Sequence, residues 1–134
     1  MASVRVELPI DAPPDHVWDV IRDVGAVHER LLPGRVAATA IEDGRRLLTF
    51  PDGNVVTELI VSLDDDTRRF SYAVVDGARP PLTHHHASFE VRPDGVLVWT
   101  ADFLPDSARP DVEIRMRHGA AEMKTAIENA RPTL

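Results

Sequence analysis

Apolar and polar residues alternate in the first stretch of the chain. In residues 3–10, SVRVELPI, Val4, Val6 and Leu8 share one face, and Arg5 and Glu7 share the other. A period of two predicts a strand half-buried against a core. The pattern changes in DAPPDHVWDVIRDVG, where Val17, Trp18 and Ile21 recur at helical spacing behind two prolines and Asp15. This predicts a short helix that Gly25 ends. AVHERLLPG predicts a second short helix, stopped by Pro33 and Gly34.

Six strand-like runs follow: RVAATAIEDG, RRLLTFPDG, NVVTELIVSLDDD, RRFSYAVVDG, LTHHHASFEVRPDG and VLVWTADFLPD. Four Asp-Gly turn signals, in EDGR, PDGN, VDGA and PDGV, separate most of them. Asp-Gly is a strong hairpin signal because both residues tolerate positive φ. The expectation is a six-stranded antiparallel meander, joined by the first strand to make seven. Over residues 108–130, Val112, Met116, Gly119/Ala120, Met123, Ile127 and Ala130 recur three or four apart. That is one apolar stripe on a long helix, stopped before Pro132. A helix of about 23 residues is roughly 35 Å long and must lie across the sheet.

The predicted architecture is α+β: one domain over 1–134, with a curved seven-stranded sheet covered by its C-terminal helix. The helix seam is methionine, glycine and alanine instead of leucine and phenylalanine. Methionine adapts to irregular shapes and small residues leave space. A ligand cavity under the helix and a tightly packed small-residue core both fit this pattern.

Composition narrows the function classes. The chain has 134 residues, 43% hydrophobic and 28% charged, as a single soluble domain would. It has no cysteine, which excludes disulfides and thiolate chemistry. The net charge is −7 and Lys124 is the only lysine. Nucleic acid and anionic membrane are therefore poor partners. No apolar run reaches the roughly 20 residues of a membrane span, and no signal peptide is visible, so a cytoplasmic location is expected. The abundance of alanine, arginine, aspartate and valine points to a bacterial source. Phosphate-loop, dinucleotide and serine-hydrolase motifs are missing, and no cofactor is implied.

Three histidines stand together in LTHHHASFEV. On a strand they must split, with His85 facing the apolar side with Ala87, Phe89 and Val91, and His84 and His86 facing out. The outward pair could present two metal ligands, but zinc needs three or four. His16, His28 and His118 are isolated in sequence, so no metal is expected. An inward His85 could move a proton near neutral pH or simply hydrogen-bond a ligand. Glu58 lies in a run apolar on both faces, which leaves its direction open. Arg46 could pair with Glu58 or a ligand carboxylate, although a surface position is the expectation. Trp18 is expected to pack helix on sheet. Tyr72, Phe89, Trp99 and Phe103 are candidates for a pocket wall, with Met116 and Met123 as its lid.

The order of elements, and several stretches, resemble the helix-grip fold of the START/polyketide-cyclase superfamily, also called SRPBCC or birch-pollen-allergen-like proteins. IDAPPDHVWDVIRDVGAV is similar to the opening of its bacterial polyketide cyclase/dehydrase branch. FPDGNVVTELIVSLDD resembles that branch's Asp-Gly hairpin and the strand with a central acid, here Glu58. RRFSYAVVDG resembles the strand carrying an aromatic, here Tyr72, and VLVWTADFLPD the strand with Trp99. His28 stands where that branch often has a second tryptophan. The resemblance implies binding of an aromatic, polyketide-like or lipid-like molecule in an internal cavity, by residues drawn from Tyr72, His85, Phe89, Trp99, Phe103, Met116 and Met123. The alternative it implies is a cyclase/aromatase closing rings by aldol condensation and dehydration. In that case His85 would transfer protons and Glu58 or Tyr72 would assist. A protein-interaction module is a third reading. The oligomeric expectation is a monomer or homodimer.

Overall fold

A computed structural model of the protein describes residues 1–132. Strand β1 (Ala2–Pro9) is followed by helix α1 (Pro14–Arg22) and a single π-helical turn (Val27–Leu31). Strands β2 (Ala38–Glu42), β3 (Arg45–Thr49), β4 (Val55–Asp64), β5 (Arg69–Asp76), β6 (His84–Val91) and β7 (Val96–Leu104) come next. A short 3₁₀ turn (Asp106–Ala108) leads into helix α2 (Arg109–Asn129). All seven strands form one antiparallel sheet in the order β1-β7-β6-β5-β4-β3-β2. This is the expected helix-grip architecture.

The turns follow from their residues. At the β2–β3 hairpin both central positions have positive φ, Asp43 at 49° and Gly44 at 74°. That pairing matches the right-handed twist of the flanking strands. Gly95 closes the β6–β7 hairpin through its N–H to the Arg92 carbonyl, 3.0 Å. VDGA differs from its expected role. Between β5 and β6 the chain makes a longer connection instead of a tight hairpin. Gly77 there has φ of +80°, and a Cβ on it would meet the Val55 carbonyl oxygen at 2.0 Å. Only glycine fits, and this pins the connection against β4.

Strand β4 carries two register shifts, between Thr57 and Glu58 and between Ile60 and Ser62. Bulges bend a strand and re-aim its side chains. Leu59 and Val61 are left 40% and 50% exposed, while Glu58 is 5% exposed. The two-sided apolar pattern thus reflects an exposed apolar outer face, and Glu58 points inward.

Helix α2 turns Val112, Met116, Gly119, Ala120, Met123 and Ile127 to the interior, the stripe its spacing predicts. Ala130 falls just past its end and is exposed. The helix lies against β1 and the π turn. Beneath it, Val4, Val6, Leu97, Ala101 and Phe103 form a packed core with Ile127 of the helix and Val17 and Ile21 of α1. Burying each large apolar side chain contributes about 1.5–3 kcal/mol. Trp18 is buried, as expected for a helix-to-sheet contact, and its indole N–H donates to Asp65 at 2.8 Å.

Candidate functional site

The core does not continue under the whole sheet. Between α2 and strands β3–β7 lies a cavity of about 210 Å³ that opens to solvent. Its lid is the thin part of the helix seam: Val112, Met116, Gly119 and Met123. Gly119 sits directly over Trp99, where an added Cβ would lie 3.5 Å from the indole ring. Val27 and Leu31 of the π turn and Ala78 and Leu82 of the β5–β6 connection also line it.

Aromatic rings make the floor. Phe89 and Trp99, directly opposite in the β6–β7 register, stack at 5.1 Å with planes 13° apart. Tyr72 stacks on Phe89 at 6.1 Å and on Phe70 at 5.6 Å. The Trp99 indole N–H donates to the Tyr72 hydroxyl at 3.1 Å, which fixes both rings. Burial pushes the Tyr72 phenol up from its ordinary value, with the Glu58 carboxylate adding to the effect, so it stays protonated.

Arg46 is not at the surface. It is 4% exposed, directly opposite Glu58 in the β3–β4 register, and its Nε donates to Glu58 Oε1 at 2.7 Å. The guanidinium also lies over the Phe70 ring at 5.0 Å and the Tyr72 ring at 5.6 Å. Burial pushes the Glu58 carboxyl up, and the Arg46 charge opposes it. The pair forms an internally satisfied unit in the cavity wall. A buried pair of this kind adds little net stability, yet losing one partner strands a buried charge.

His85 faces the cavity, as alternation along β6 requires, while His84 is exposed and His86 faces a shallow outer groove with Arg5 and Asp102. The His85 Nδ1 is enclosed and has no hydrogen-bond partner among the described residues. Burial, with smaller contributions from His84 and His86, pushes its pKa down to about 4. The imidazole is therefore neutral at pH 7 and a weak base.

The wall unites Tyr72, His85, Phe89, Trp99, Met116 and Met123, with Glu58 beside them. Phe103 is apart. It faces inward and pairs with His85 in register, yet it is wholly buried in the packed core and does not reach the cavity. Sequence reasoning missed Leu48, Val56 and Val74 in the floor and Arg35, Arg79 and Arg115 at the mouth. The three aliphatic residues could have been found from the inward phase of their strands. The arginines carry no such periodic signal. His16 bonds the Ile127 carbonyl at 2.9 Å and His28 bonds the Thr39 hydroxyl at 3.0 Å, both outside the cavity wall. Among the described residues, no group of three or more histidine, aspartate or glutamate side chains is placed to hold a metal. No helix among them is long and apolar enough to cross a membrane.

Residues 1–130 match the family model described as polyketide cyclase / dehydrase and lipid transport. The chain belongs to this family. No curated protein sequence matches it. Solved structures share its fold at low identity. XoxI from Bacillus cereus is 20% identical over 97% of this chain and 95% of its own, with a TM-score of 0.78. Ginseng major latex-like protein 151 from Panax ginseng is 15% identical over 98% of both chains, with a TM-score of 0.80. Norcoclaurine synthase from Thalictrum flavum, solved with dopamine and hydroxybenzaldehyde, is 23% identical over 96% of this chain and 84% of its own, at 0.74. Family membership and these folds agree with the site's form, in which the chain's aromatic rings line a space between sheet and long helix.

Proposed function

We propose that the protein binds a small hydrophobic molecule, aromatic, polyketide-like or lipid-like, in the cavity between the sheet and α2. The observation that carries this reading is the aromatic floor of Tyr72, Phe89 and Trp99 beneath a helix seam thinned by Gly119. A flat apolar molecule gains by stacking there and by removing its own surface from water. The interior polar groups suit orientation more than reaction. Arg46 and Glu58 satisfy each other, and His85 is uncharged near neutral pH. The Tyr72 hydroxyl proton has no acceptor among the described residues and is left for a ligand oxygen. Norcoclaurine synthase, of the same fold, was solved with two small aromatics, which lends support by analogy alone.

One observation favours the second reading, an enzyme of the cyclase/dehydrase type. The unpaired His85 nitrogen is the kind of group that a proton-transfer role retains at the cost of stability. With its pKa near 4, His85 would have to take its proton from an acidified carbon–hydrogen bond between two carbonyls. The two readings separate on one variant. His85→Ala abolishes turnover with binding preserved in an enzyme, and changes affinity alone in a carrier.

Native mass spectrometry of freshly purified protein, followed by denaturation and identification of what is released, tests the leading reading. The expected result is a near-stoichiometric aromatic or acyl compound. A protein that is empty and stays empty with a panel of aromatic and fatty ligands contradicts it.

A further inference from the structure

Three residues of the cavity wall are exposed, and all three are arginines. They come from separate elements: Arg35 from the segment after the π turn, Arg79 from the β5–β6 connection and Arg115 from α2. In a chain of net charge −7 the mouth of its cavity is lined by three guanidinium groups. Two of the three are engaged. Arg35 pairs with Glu122, and Arg79 grips both oxygens of Asp52 at 2.7 and 3.0 Å. Arg115 has no carboxylate within ion-pair distance among the described residues. The wall's one carboxylate, Glu58, is buried and already taken by Arg46. Among the described residues, no free cation remains in the interior, so an anionic group could not be satisfied at depth.

We infer that the ligand is an amphipathic carboxylic acid. Its apolar body lies on the Tyr72–Phe89–Trp99 floor and its carboxylate stays at the mouth against Arg115. This deepens the binding reading above and rests on it. The guanidinium fork suits a carboxylate in two parallel hydrogen bonds. A partly hydrated mouth spares the acid the full cost of desolvation. The uncompensated charge of Arg115 also gives an anion a point of attraction on a protein that otherwise repels it. The orientation follows from the same charges, with the apolar end entering first.

Arginine stems can also cover an apolar rim without binding anything charged. Calorimetric titration of the full chain with matched pairs, naphthoate against methyl naphthoate and decanoate against methyl decanoate, separates the two roles. At low ionic strength the acid of a pair is expected to bind about fivefold tighter than its ester. That preference should shrink with added salt. Arg115→Gln should bring acid and ester to near equality. Arg45→Gln, an exposed cation outside the cavity wall, should leave the preference intact. Equal affinity of acid and ester, or a preference that survives Arg115→Gln, overturns the inference while leaving the hydrophobic cavity standing. Failure of both members of every pair to bind overturns the cavity reading and this inference with it.

Discussion

Strands β1 and β7 and strands β3 to β5 belong to one sheet, yet their inner faces are used in opposite ways. Under β1 and the two ends of β7, Val4, Val6, Leu97 and Phe103 pack in the core with residues of α1 and α2, and these side chains are aliphatic or phenyl, while Trp99 between them on β7 faces the cavity. Across β3 to β5, the inner face carries Arg46, Glu58 and Tyr72 among Leu48, Val56 and Val74, and all six border empty volume. The packed half orders the fold through dispersion and burial. The open half gives up that packing and is held by directional contacts: an ion pair, a cation over two rings, and an indole–phenol hydrogen bond. One sheet can therefore keep a cavity because its two halves do not share the same work.

The largest test of this division is to break the ion pair in the open half. Arg46→Met should destabilise by about 3–5 kcal/mol, because it leaves the Glu58 carboxylate buried and alone. Arg46→Met combined with Glu58→Leu should recover most of that loss. Denaturant unfolding of the three proteins measures both effects. A single variant as stable as the wild type would show that the pair is wetter than its burial implies.

The same truncation made in both halves sharpens the comparison. Leu97→Ala, in the packed half, should cost about 2–5 kcal/mol, since it opens a hole that neighbours cannot fill. Leu48→Ala should cost less by about 1–2 kcal/mol, because one side of Leu48 already faces empty space and makes no contacts there. Equal losses, measured by the same unfolding experiment, would remove the distinction.

How much of this division was legible beforehand depends on what each signal encodes. Strand alternation reports a face, and it placed His85 inward and His84 outward from spacing alone. It does not report where along the sheet the helix stands close. Phe103 has the inward phase of Trp99, four residues away, yet one lies in the packed core and the other under Gly119. The Asp-Gly turns were visible because positive φ needs particular residues. The bulges in β4 were not, since register is a property of two strands, and with them the direction of Glu58 was hidden. Arg46 was hidden for the same reason, because its burial depends on the acid across the strand. A methionine, glycine and alanine seam fits a void and a tight core equally well. Only the distance between helix and sheet decides between them.

His85 gives the open half a pH dependence. Its folded pKa, about 4, lies below the ordinary value of 6.5. As pH falls from 6.5 toward 4, the unfolded chain takes up a proton that the folded protein does not. Stability is thus lost as pH falls through this window and is fully present above it. The loss attributable to His85 is at most on the order of 3 kcal/mol. His85→Gln should flatten the stability profile between pH 6.5 and 5, above the range where most carboxylates titrate. An unchanged slope would show that His85 is protonated in the folded protein.

The smallest effect is expected at the boundary between the halves. Gly119→Ala should stabilise α2 by about 0.5–1 kcal/mol. Its new Cβ would make an ordinary contact with Trp99 at 3.5 Å. Thermal unfolding reads this, and a net destabilisation would mean that helix and floor are closer than van der Waals distance allows.

The central claim, that a hydrophobic ligand enters between α2 and the aromatic floor, can be read directly at the methionine methyl groups. The chain has three methionines: Met116 and Met123 line the cavity, and Met1 is 65% exposed. Methyl-labelled protein titrated with the naphthoate and decanoate probes, or with any compound released from the purified protein, should show saturable shifts of the Met116 and Met123 signals with Met1 unmoved. Aromatic probes should give the larger shifts, through their ring currents. A compound that binds with Met116 and Met123 unmoved, or a full panel that moves none of the three, would contradict the account.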